Sequence, residues 1–478
     1  MSDSISIHWF RQDLRLADNP ALTAAADSDQ VLPVYILDDQ HSGEFAPGEA
    51  SQWWLHHSLA SLNQSLNAKL NLYKGDPLTI LIELCCRLNV TKVFWNRCYE
   101  PWQMSRDIQI KQLLNGAGIH AQSFNASLLS EPWTVLKNDN TPYKVFTPYY
   151  QRAYATAQPD SVALPAPASL NCLHDDRQSL PLDDLQLQPN VCWYGGLEKS
   201  WCPGEQGAQT ALHGFLEHGL AHYKEGRDFP AQDNVSRLSP HLHFGEISPQ
   251  QVWRHADKTV DGNNIEHFKR ELMWREFSYY LLYHWPKLPR ENLKSAFDHF
   301  PWQDNPAWLS LWQQGLTGYP LVDAGMRELW QTGFMHNRVR MVTASFLVKN
   351  LLIHWRHGAA WFWDCLVDAD LASNSASWQW VAGCGTDASP YFRIFNPVTQ
   401  GEKFDPDGAY TRRFVPELQH LPDKYLFKPW EAPAEVLENA RVTLGEDYPM
   451  PVVDIKTSRQ TALDALQASK DFQQEFAH

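Results

Sequence analysis

Residues 4–10 read SISIHWF and residues 31–37 read VLPVYIL, two short apolar runs of the length expected for buried strands. Three similar runs follow: LNLYKGD (70–76), VTKVFWN (90–96) and IHAQSFN (119–125). Helical patterns such as PLTILIELCCRLN and PWQMSRDIQIKQLL lie between them. Strands that alternate with helices of this length predict βαβ units and a doubly wound α/β domain with a parallel sheet. Ligands of such sheets usually lie at the carboxyl ends of the strands.

The remainder of the chain has a different character. After GAQTALHGFLEHGLAHY the strand signals fade, and helical stretches recur at 264–285, 322–332, 338–356 and 359–367. We therefore predict an α/β domain (1–130), a connector (131–203) rich in Pro, Ala, Leu, Asp and Gln, and a larger all-α domain (204–478).

Composition limits the class of protein. A chain of 478 residues is too long for a single core, and 44% hydrophobic with 20% charged residues is typical of a globular protein. No apolar run approaches the roughly 20 residues that span a bilayer, and the N-terminus lacks the apolar core of a signal peptide, so we expect a cytoplasmic protein. A net charge of −15 disfavours nucleic acid as a partner unless a local basic patch overrules the average.

Cysteine and tryptophan usage adds two constraints. The eight cysteines form no C-x-x-C pair, which fits reduced thiols in a reducing compartment. The 21 tryptophans are unusual, since cores prefer Leu, Ile and Val. They either fill a large helical core or serve a function that needs indole rings.

Two familiar patterns occur in this chain without indicating a site, and two others are absent from the sequence. GCGTDA (383–388) has the spacing of a dinucleotide-binding loop but follows WQWVA in the helical region, outside a βαβ unit. His218 and His222 stand four apart without a third ligand at zinc-site spacing, so no metal site is predicted. There is no P-loop and no G-x-S-x-G elbow, so nothing supports phosphoryl or acyl transfer.

The stretch DADLASNSASWQW (368–380) is the richest in functional side chains. If it is helical, Asp370, Asn374 and Trp378 share one face and Asp368 points elsewhere, which makes a poor metal site. An acceptor, an amide and an aromatic ring on one face suit a planar, hydrogen-bonding aromatic ligand. The alternative is a capped helix start with Trp378 in the core.

Arginine, hydroxyl and amide side chains elsewhere in the helical region suit phosphate or ring edges. They are Ser236, Ser239, Arg275, Asn337 and Arg338. From the residues alone, the region is predicted to bind a cofactor.

Several long strings resemble the photolyase/cryptochrome family across nearly the whole chain. They are WFRQDLRLADNPAL, SRLSPHLHFGEISP, ELMWREFSYYLL, TGYPLVDAGMRELWQTGFMHNRVRM and the segment from DADLASNSASWQW to FDPDGAY. The resemblance implies an N-terminal α/β antenna domain, a connector and a helical FAD-binding catalytic domain.

The resemblance also implies roles for individual residues. FAD contacts fall on Tyr223, Val235, Ser236, Arg237, Leu238, Ser239, Phe268, Arg275, Asn337, Asp368, Asp370 and Asn374. Asn374 takes the place beside flavin N5, where plant cryptochromes carry Asp. The electron-transfer tryptophans match Trp378, Trp355 and Trp302, ordered from flavin to surface.

Substrate class depends on fewer positions. Met341 matches the Met of cyclobutane pyrimidine dimer (CPD) enzymes, where (6-4) photolyases have His. Glu271 matches the carboxyl group that hydrogen-bonds the dimer. The DNA contacts implied by the resemblance are Arg227, Glu271, Trp274, Asn337, Arg338, Trp380 and Gln400, with Lys403, Arg412 and Arg413 nearby.

Two departures bear on the subclass. Val235 stands where many members have Thr, and Phe268 stands where the commonest bacterial CPD enzymes have Trp. Together with SPHLHFGEIS they favour the class III CPD photolyases, the branch nearest plant cryptochromes.

The resulting hypothesis is a light-driven deoxyribodipyrimidine photo-lyase that binds UV-damaged DNA with the pyrimidine dimer flipped out and acts as a monomer. A cryptochrome-type blue-light photoreceptor and a (6-4) photolyase are the alternatives. A flavin-dependent redox enzyme lacks a nicotinamide-binding fingerprint. Methenyltetrahydrofolate is the antenna that the resemblance favours, with Glu100 as a contact, while a deazaflavin, another flavin or an empty antenna site stay open.

Overall fold

The computed structural model describes residues 4–156, 163–258, 262–387 and 392–476. Its N-terminal part contains a five-stranded sheet with the order β3-β2-β1-β4-β5, in which every neighbouring pair is parallel. The strands are β1 (Ile5–Phe10), β2 (Gln30–Leu37), β3 (Asn71–Lys74), β4 (Lys92–Asn96) and β5 (His120–Phe124). The predicted strands and the doubly wound α/β fold are confirmed.

The sheet has side chains packed on both faces, which explains why its strands are continuous apolar runs. Ile7 of β1 pairs in register with Leu32 of β2 and Val93 of β4, and all three are fully buried. On one face Trp9 packs with Trp95. On the other, Phe10 belongs to a cluster that contains Trp54.

The strand order reverses between β1 and β4, where doubly wound folds usually bind ligands. Here the protein's own side chains occupy that place. The Arg11 guanidinium, just after β1, donates to the Asn96 carbonyl at the end of β4 and pairs with Asp107. Asn96 Nδ2 in turn donates to the Asp13 carboxylate over 2.6 Å. A buried polar network therefore closes the carboxyl ends of the two central strands.

The rest of the described chain is mainly helical, as predicted. The α-helices are α1 (Pro20–Ala25), α2 (Glu49–Ser65), α3 (Pro77–Leu88), α4 (Pro101–Gly116), α5 (Phe146–Thr156), α6 (Gly195–Ser200), α7 (Glu205–Gly214), α8 (Tyr223–Gly226), α9 (Ser239–His243), α10 (Pro249–Asp257), α11 (Gly262–His284), α12 (Pro306–Gln314), α13 (Pro320–Thr332), α14 (Asn337–Ser345), α15 (Trp355–Cys365), α16 (Leu371–Ala382), α17 (Pro397–Phe404), α18 (Ala409–Phe414), α19 (Asp423–Leu426), α20 (Ala434–Ala440) and α21 (Ile455–Phe476).

The chain divides into two compact units. The first comprises Met1–Ala221, Ser236–Pro286 and Val367–Ala372, and the second comprises His222–Val235, Lys287–Leu366 and Ser373–His478. The three segments predicted from sequence follow a different division, and their boundaries stay a prediction.

Two helix predictions were wrong in their bounds. The single helix expected at 338–356 is α14, then a π-helical turn at Phe346–Asn350, then a break at Leu352, whose φ is +54°. Buried polar side chains in the π-helical turn explain the interruption, because Lys349 donates to the Arg393 carbonyl and Asn350 to Ser458.

The helix expected to carry Asp370, Asn374 and Trp378 on one face begins only at Leu371. Asp368 and Asp370 therefore precede α16, and only Asn374 and Trp378 are helical neighbours. None of the helices within the described ranges is both long and apolar enough to cross a bilayer.

One buried carboxyl group ties the end of the predicted α/β domain to α11. Glu276 Oε2 accepts hydrogen bonds from the backbone N–H groups of Leu129, over 2.8 Å, and Ser130, over 3.3 Å. Burial raises the pKa of Glu276 to about 7, although Arg275 and the two N–H donors oppose the shift.

We expect this group to make stability depend on pH. An acid with a raised folded-state pKa binds its proton more tightly when folded, so the free energy of unfolding falls as pH rises from about 4.5 to about 7. The loss attributable to Glu276 amounts to at most about 3 kcal/mol. Urea denaturation at several pH values measures it, with Glu276→Gln as the reference. Wild type and variant that lose equal stability between pH 5 and pH 8 would contradict the assignment.

Candidate functional site

Asp370 is the centre of a buried polar cluster in the first unit. Its carboxylate accepts the hydroxyl hydrogen bond of Tyr279 and lies 3.5 Å from His243 Nδ1. Burial alone would raise the pKa of Asp370, but His243, Arg275 and Tyr279 outweigh it and hold the pKa well below its usual range. Asp370 is therefore an ionised acceptor at neutral pH.

Arg275 is the cation of this cluster and lies one helical turn before Tyr279 on α11. Its Nη1 donates to the Ser127 carbonyl over 2.8 Å, and its guanidinium lies 4.8 Å from the centroid of the Tyr279 ring. A guanidinium has five N–H donors, so this bond leaves capacity for a ligand anion. Arg275 was predicted from the sequence and Tyr279 was not, although their spacing of four residues on one helix places them on one face.

A second pair in the same unit consists of Asp368 and Ser239. Ser239 Oγ donates to Asp368 Oδ2 over 2.6 Å, and the hydroxyl lies at the start of α9. Just before it, the Leu238 N–H donates to Ser236 Oγ over 3.4 Å. Arg237 has a φ of +52°, and such left-handed positions in non-glycine residues cluster at functional sites. Ser236 and Ser239, both predicted to suit phosphate, thus lie in one short segment that ends at the first residue of α9.

Glu100 belongs to the surroundings of Asp370. It is 5% exposed, and its Oε1 accepts from Gln12 Nε2 over 2.7 Å. Its Oε2 is buried without a hydrogen-bond partner among the described residues. Burial, together with the charge of Asp370, raises the pKa of Glu100. Its role as an antenna contact stays a prediction. Gln12 and His243, which surround this group, had no sequence signal.

Glu271 and Trp274 lie one turn apart on α11, so they share a face. Trp274 stacks on Phe146 with ring centroids 3.6 Å apart and planes within 7°. This stack fixes the orientation of the half-buried indole. Phe268, earlier on the helix, is buried against Phe215 with centroids 4.7 Å apart.

In the second unit, α14 carries three predicted residues. Asn337 is exposed at its start, and Met341, one turn later, is half-buried. Arg338 Nη2 pairs with Asp228 over 2.6 Å, and its guanidinium lies 4.3 Å from the Phe404 ring centroid. Arg338 is therefore held in place by an ion pair and an aromatic face.

Two other predicted DNA contacts in this unit, Arg227 and Trp380, also contact neighbouring groups. Arg227 lies 5.5 Å from the ring centroid of the buried Tyr223. Trp380 Nε1 donates to the Asp387 carbonyl over 3.1 Å. Gln400, a third predicted DNA contact, is half-buried on α17. Val235, a predicted FAD contact, is the last residue of the segment His222–Val235.

The nearby basic residues are partly neutralised. Arg412 pairs with Asp423 over 2.6 Å, whereas Lys403 and Arg413 lie against the rings of Phe404 and Phe414. Arg412 therefore contributes little positive charge to any basic surface in this region.

Asn374 and Trp378 both contact α15. Asn374 Nδ2 donates to the Ala359 carbonyl over 3.0 Å, which leaves the amide oxygen for another partner. Trp378 is 2% exposed and makes edge contacts with Phe362 at 5.0 Å and Trp312 at 6.2 Å between centroids. Its six-membered ring fills the space above Gly358.

The other two predicted electron-transfer tryptophans lie in the same unit. Trp355 begins α15, is 1% exposed and donates through Nε1 to Asn292 Oδ1 over 2.9 Å. Trp302 is half-buried against Phe300 and His354, with ring centroids 4.5 Å and 4.9 Å away. Exposure therefore increases from Trp378 and Trp355 to Trp302.

The chain is similar to known proteins along nearly its whole length. The model of the DNA photolyase family matches residues 6–168, and the FAD binding domain of DNA photolyase matches residues 268–468. A deoxyribodipyrimidine photo-lyase of Agrobacterium fabrum is 49% identical, covering 97% of this chain and 98% of the relative. Cryptochrome-2 of Arabidopsis thaliana is 39% identical, with 98% and 80% covered. The crystal structure of a bacterial class III photolyase from Agrobacterium tumefaciens superposes with a TM-score of 0.95 at 47% identity, covering 98% of each chain.

The close packing of the Trp378 ring over Gly358 can be tested by substitution. A Cβ on Gly358 would lie 2.1 Å from the Trp378 ring, so Gly358→Ala forces the indole or α15 to move. We expect a loss of about 1–3 kcal/mol in the free energy of unfolding, together with a changed tryptophan fluorescence spectrum. Gly214→Ala is the matched control, because no atom lies within 4 Å of the added methyl group. Equal stabilities of the two variants would show that Trp378 does not require this glycine.

Proposed function

The chain belongs to the photolyase/cryptochrome family, and we propose that it is a class III photo-lyase that repairs cyclobutane pyrimidine dimers in DNA, using light and bound FAD. The observation that carries the proposal is the buried cluster around Asp370, an ionised acceptor with Arg275 and Tyr279 beside it. The 49% identity to a photo-lyase, against 39% to cryptochrome-2, supports repair.

The residues present fit FAD. A dinucleotide cofactor presents phosphate oxygens, which suit the Arg275 guanidinium and the Ser236 and Ser239 hydroxyls. Its sugar hydroxyl groups suit the carboxylates of Asp368 and Asp370. The full set of residues that would hold FAD is the one predicted from the sequence, including Tyr223, Phe268, Asn337 and Asn374. FAD in its reduced form supplies an electron when it absorbs light.

The lesion would be bound by Glu271 and Trp274. A damaged pair is easier to unstack than an intact one, so the dimer is flipped out at a cost of a few kcal/mol. The Trp274 indole, held by its stack on Phe146, offers an apolar face to the flipped bases. The Glu271 carboxyl group stabilises the added charge on the dimer by a hydrogen bond. Met341 contributes an apolar side chain at the position that distinguishes CPD from (6-4) enzymes.

Arg227, Arg338, Trp380 and Gln400 would contact the DNA around the lesion. Arginine contacts to phosphate position the duplex without reading its sequence, which suits an enzyme that acts on lesions in any sequence. Since Arg338 is paired with Asp228, DNA phosphate would compete with that carboxylate.

Trp378, Trp355 and Trp302 would deliver electrons toward the flavin. Each indole in turn loses an electron to its inner neighbour and regains one from its outer neighbour, and an external thiol reduces the last. The half-buried Trp302 is the member of this set that solvent can reach. Asn374 would tune the flavin through its amide oxygen, because its NH₂ group is bonded to Ala359.

The remaining sequence predictions concern the antenna chromophore, the oligomeric state and the location in the cell. Methenyltetrahydrofolate as the antenna, a monomeric state and a cytoplasmic location stay predictions. A blue-light photoreceptor is the second candidate, favoured by the 39% identity to cryptochrome-2.

A repair assay tests the proposal. The FAD-loaded, reduced protein is illuminated with an oligonucleotide that contains one thymine CPD, and restored thymines are measured. We expect full restoration of the CPD substrate and none of a matched (6-4) substrate. An intact flavoprotein that restores neither substrate would favour the photoreceptor, and restoration of the (6-4) substrate alone would contradict the role of Met341.

Substitution of Glu271 tests the lesion contact. We expect Glu271→Ala to lower the repair rate roughly tenfold, since one hydrogen bond to a charged group is worth about 1.5 kcal/mol. Glu266→Ala, at an exposed position on the same helix, is the matched control and should repair at the wild-type rate. A Glu271→Ala variant with an unchanged repair rate would contradict the proposed role of this carboxyl group.

A further inference from the structure

His354 contacts two of the three tryptophans in the predicted electron path. Its imidazole centroid lies 4.9 Å from that of Trp302 and 5.5 Å from that of Trp355. The residue is the N-cap of α15, so its position is set by the helix that Trp355 begins. Its place in the chain, between a left-handed residue at Leu352 and the first turn of α15, holds the ring against both indoles.

A backbone hydrogen bond fixes which nitrogen of this ring carries the proton. His354 Nδ1 accepts from the Arg356 N–H over 3.1 Å, so the neutral imidazole carries its proton on Nε2. Adding a second proton at Nδ1 would remove the acceptor and break the cap. The geometry therefore favours the uncharged ring.

Burial and two nearby cationic or titratable side chains also favour the uncharged ring. Burial is the largest cause that lowers the pKa of His354, to about 4, and Arg356 and His357 of α15 lower it further. Asp298, from the segment Ser295–His299, opposes them. The imidazole is thus uncharged at neutral pH.

An uncharged ring matters because each indole on the path becomes a cation when it gives up an electron. A positive charge about 5 Å away from both rings would oppose that oxidation. Arg356 already places a guanidinium 5.7 Å from the Trp355 ring centroid, but this side chain is exposed and screened by solvent. A protonated His354 would act on both rings from a half-buried position.

We propose that His354 is a positioning residue of the electron path, whose uncharged imidazole provides the contact between Trp302 and Trp355. The inference rests on the proposed function. One electron leaves Trp302 and reduces the oxidised Trp355, and no bond forms or breaks. The Trp302 proton stays on Nε1, which is buried without a hydrogen-bond acceptor among the described residues. A thiol from solution then reduces Trp302.

Transient absorption of tryptophan radicals in the FAD-loaded protein tests this inference. His354→Asn removes the ring but keeps a side-chain oxygen that caps α15. We expect electron transfer from Trp302 to slow at least fivefold and the yield of light-driven FAD reduction to fall. His357→Asn, at the exposed neighbouring position, should behave as wild type. A His354→Asn rate within twofold of wild type would overturn the proposal.

The pH dependence of the electron-transfer rate distinguishes the proposed role of His354 from a purely structural one. The wild-type rate should fall as pH approaches 4, where the imidazole gains its charge, and the His354→Asn rate should not follow that profile. Identical profiles would overturn the proposal.

Repair with chemically reduced FAD distinguishes failure of this inference from failure of the proposed function. This assay bypasses the tryptophans, so His354→Asn should repair like wild type. Loss of repair in His354→Asn alone would show that His354 affects a step other than electron transfer through the tryptophans, and would overturn the proposal. Loss in both proteins would contradict the proposed function and leave the radical measurement as the test of the path.

Discussion

A carboxylate that is buried must be paired, and Asp370 is such a carboxylate. Removing a partner from a buried charge costs about 3–5 kcal/mol, so Tyr279, His243 and Arg275 are constrained together with the acid they surround. Three separate stretches of sequence must meet there: α9, α11 and the residues just before α16. The same constraint makes Asp370 a permanent acceptor, which suits a cofactor rich in hydroxyl groups better than acid–base catalysis.

Much of the fold could be predicted because burial on both faces of a parallel sheet leaves a direct pattern in the sequence. The five apolar runs match β1 to β5 within a few residues at each end. The helix bounds failed where tertiary contacts override local preference. Lys349 and Asn350 lie in a pattern that reads as continuous helix, yet their bonds to Arg393 and Ser458 accompany a π-helical turn.

The candidate site likewise contains residues that the sequence indicated and residues that it did not. Some predicted site residues do lie together: Ser239 bonds to Asp368, and Glu271 and Trp274 share a face of α11. The contacts of Gln12 with Glu100, of His243 with Asp370 and of Trp378 with Gly358 join segments that are distant in the sequence. No spacing in the sequence indicates them. The helical-face argument for Asp370 was wrong for a local reason, since α16 begins one residue later.

In the proposed function, light absorbed by a flavin in this protein drives repair of the dimer. The most direct test of this proposal is the action spectrum of repair, measured on the reduced protein with a CPD oligonucleotide and a dark control. We expect repair per absorbed photon to follow the absorption of the reduced flavin and any bound antenna, with no repair in the dark. Repair in the dark, or repair whose wavelength dependence ignores the bound chromophores, would contradict it.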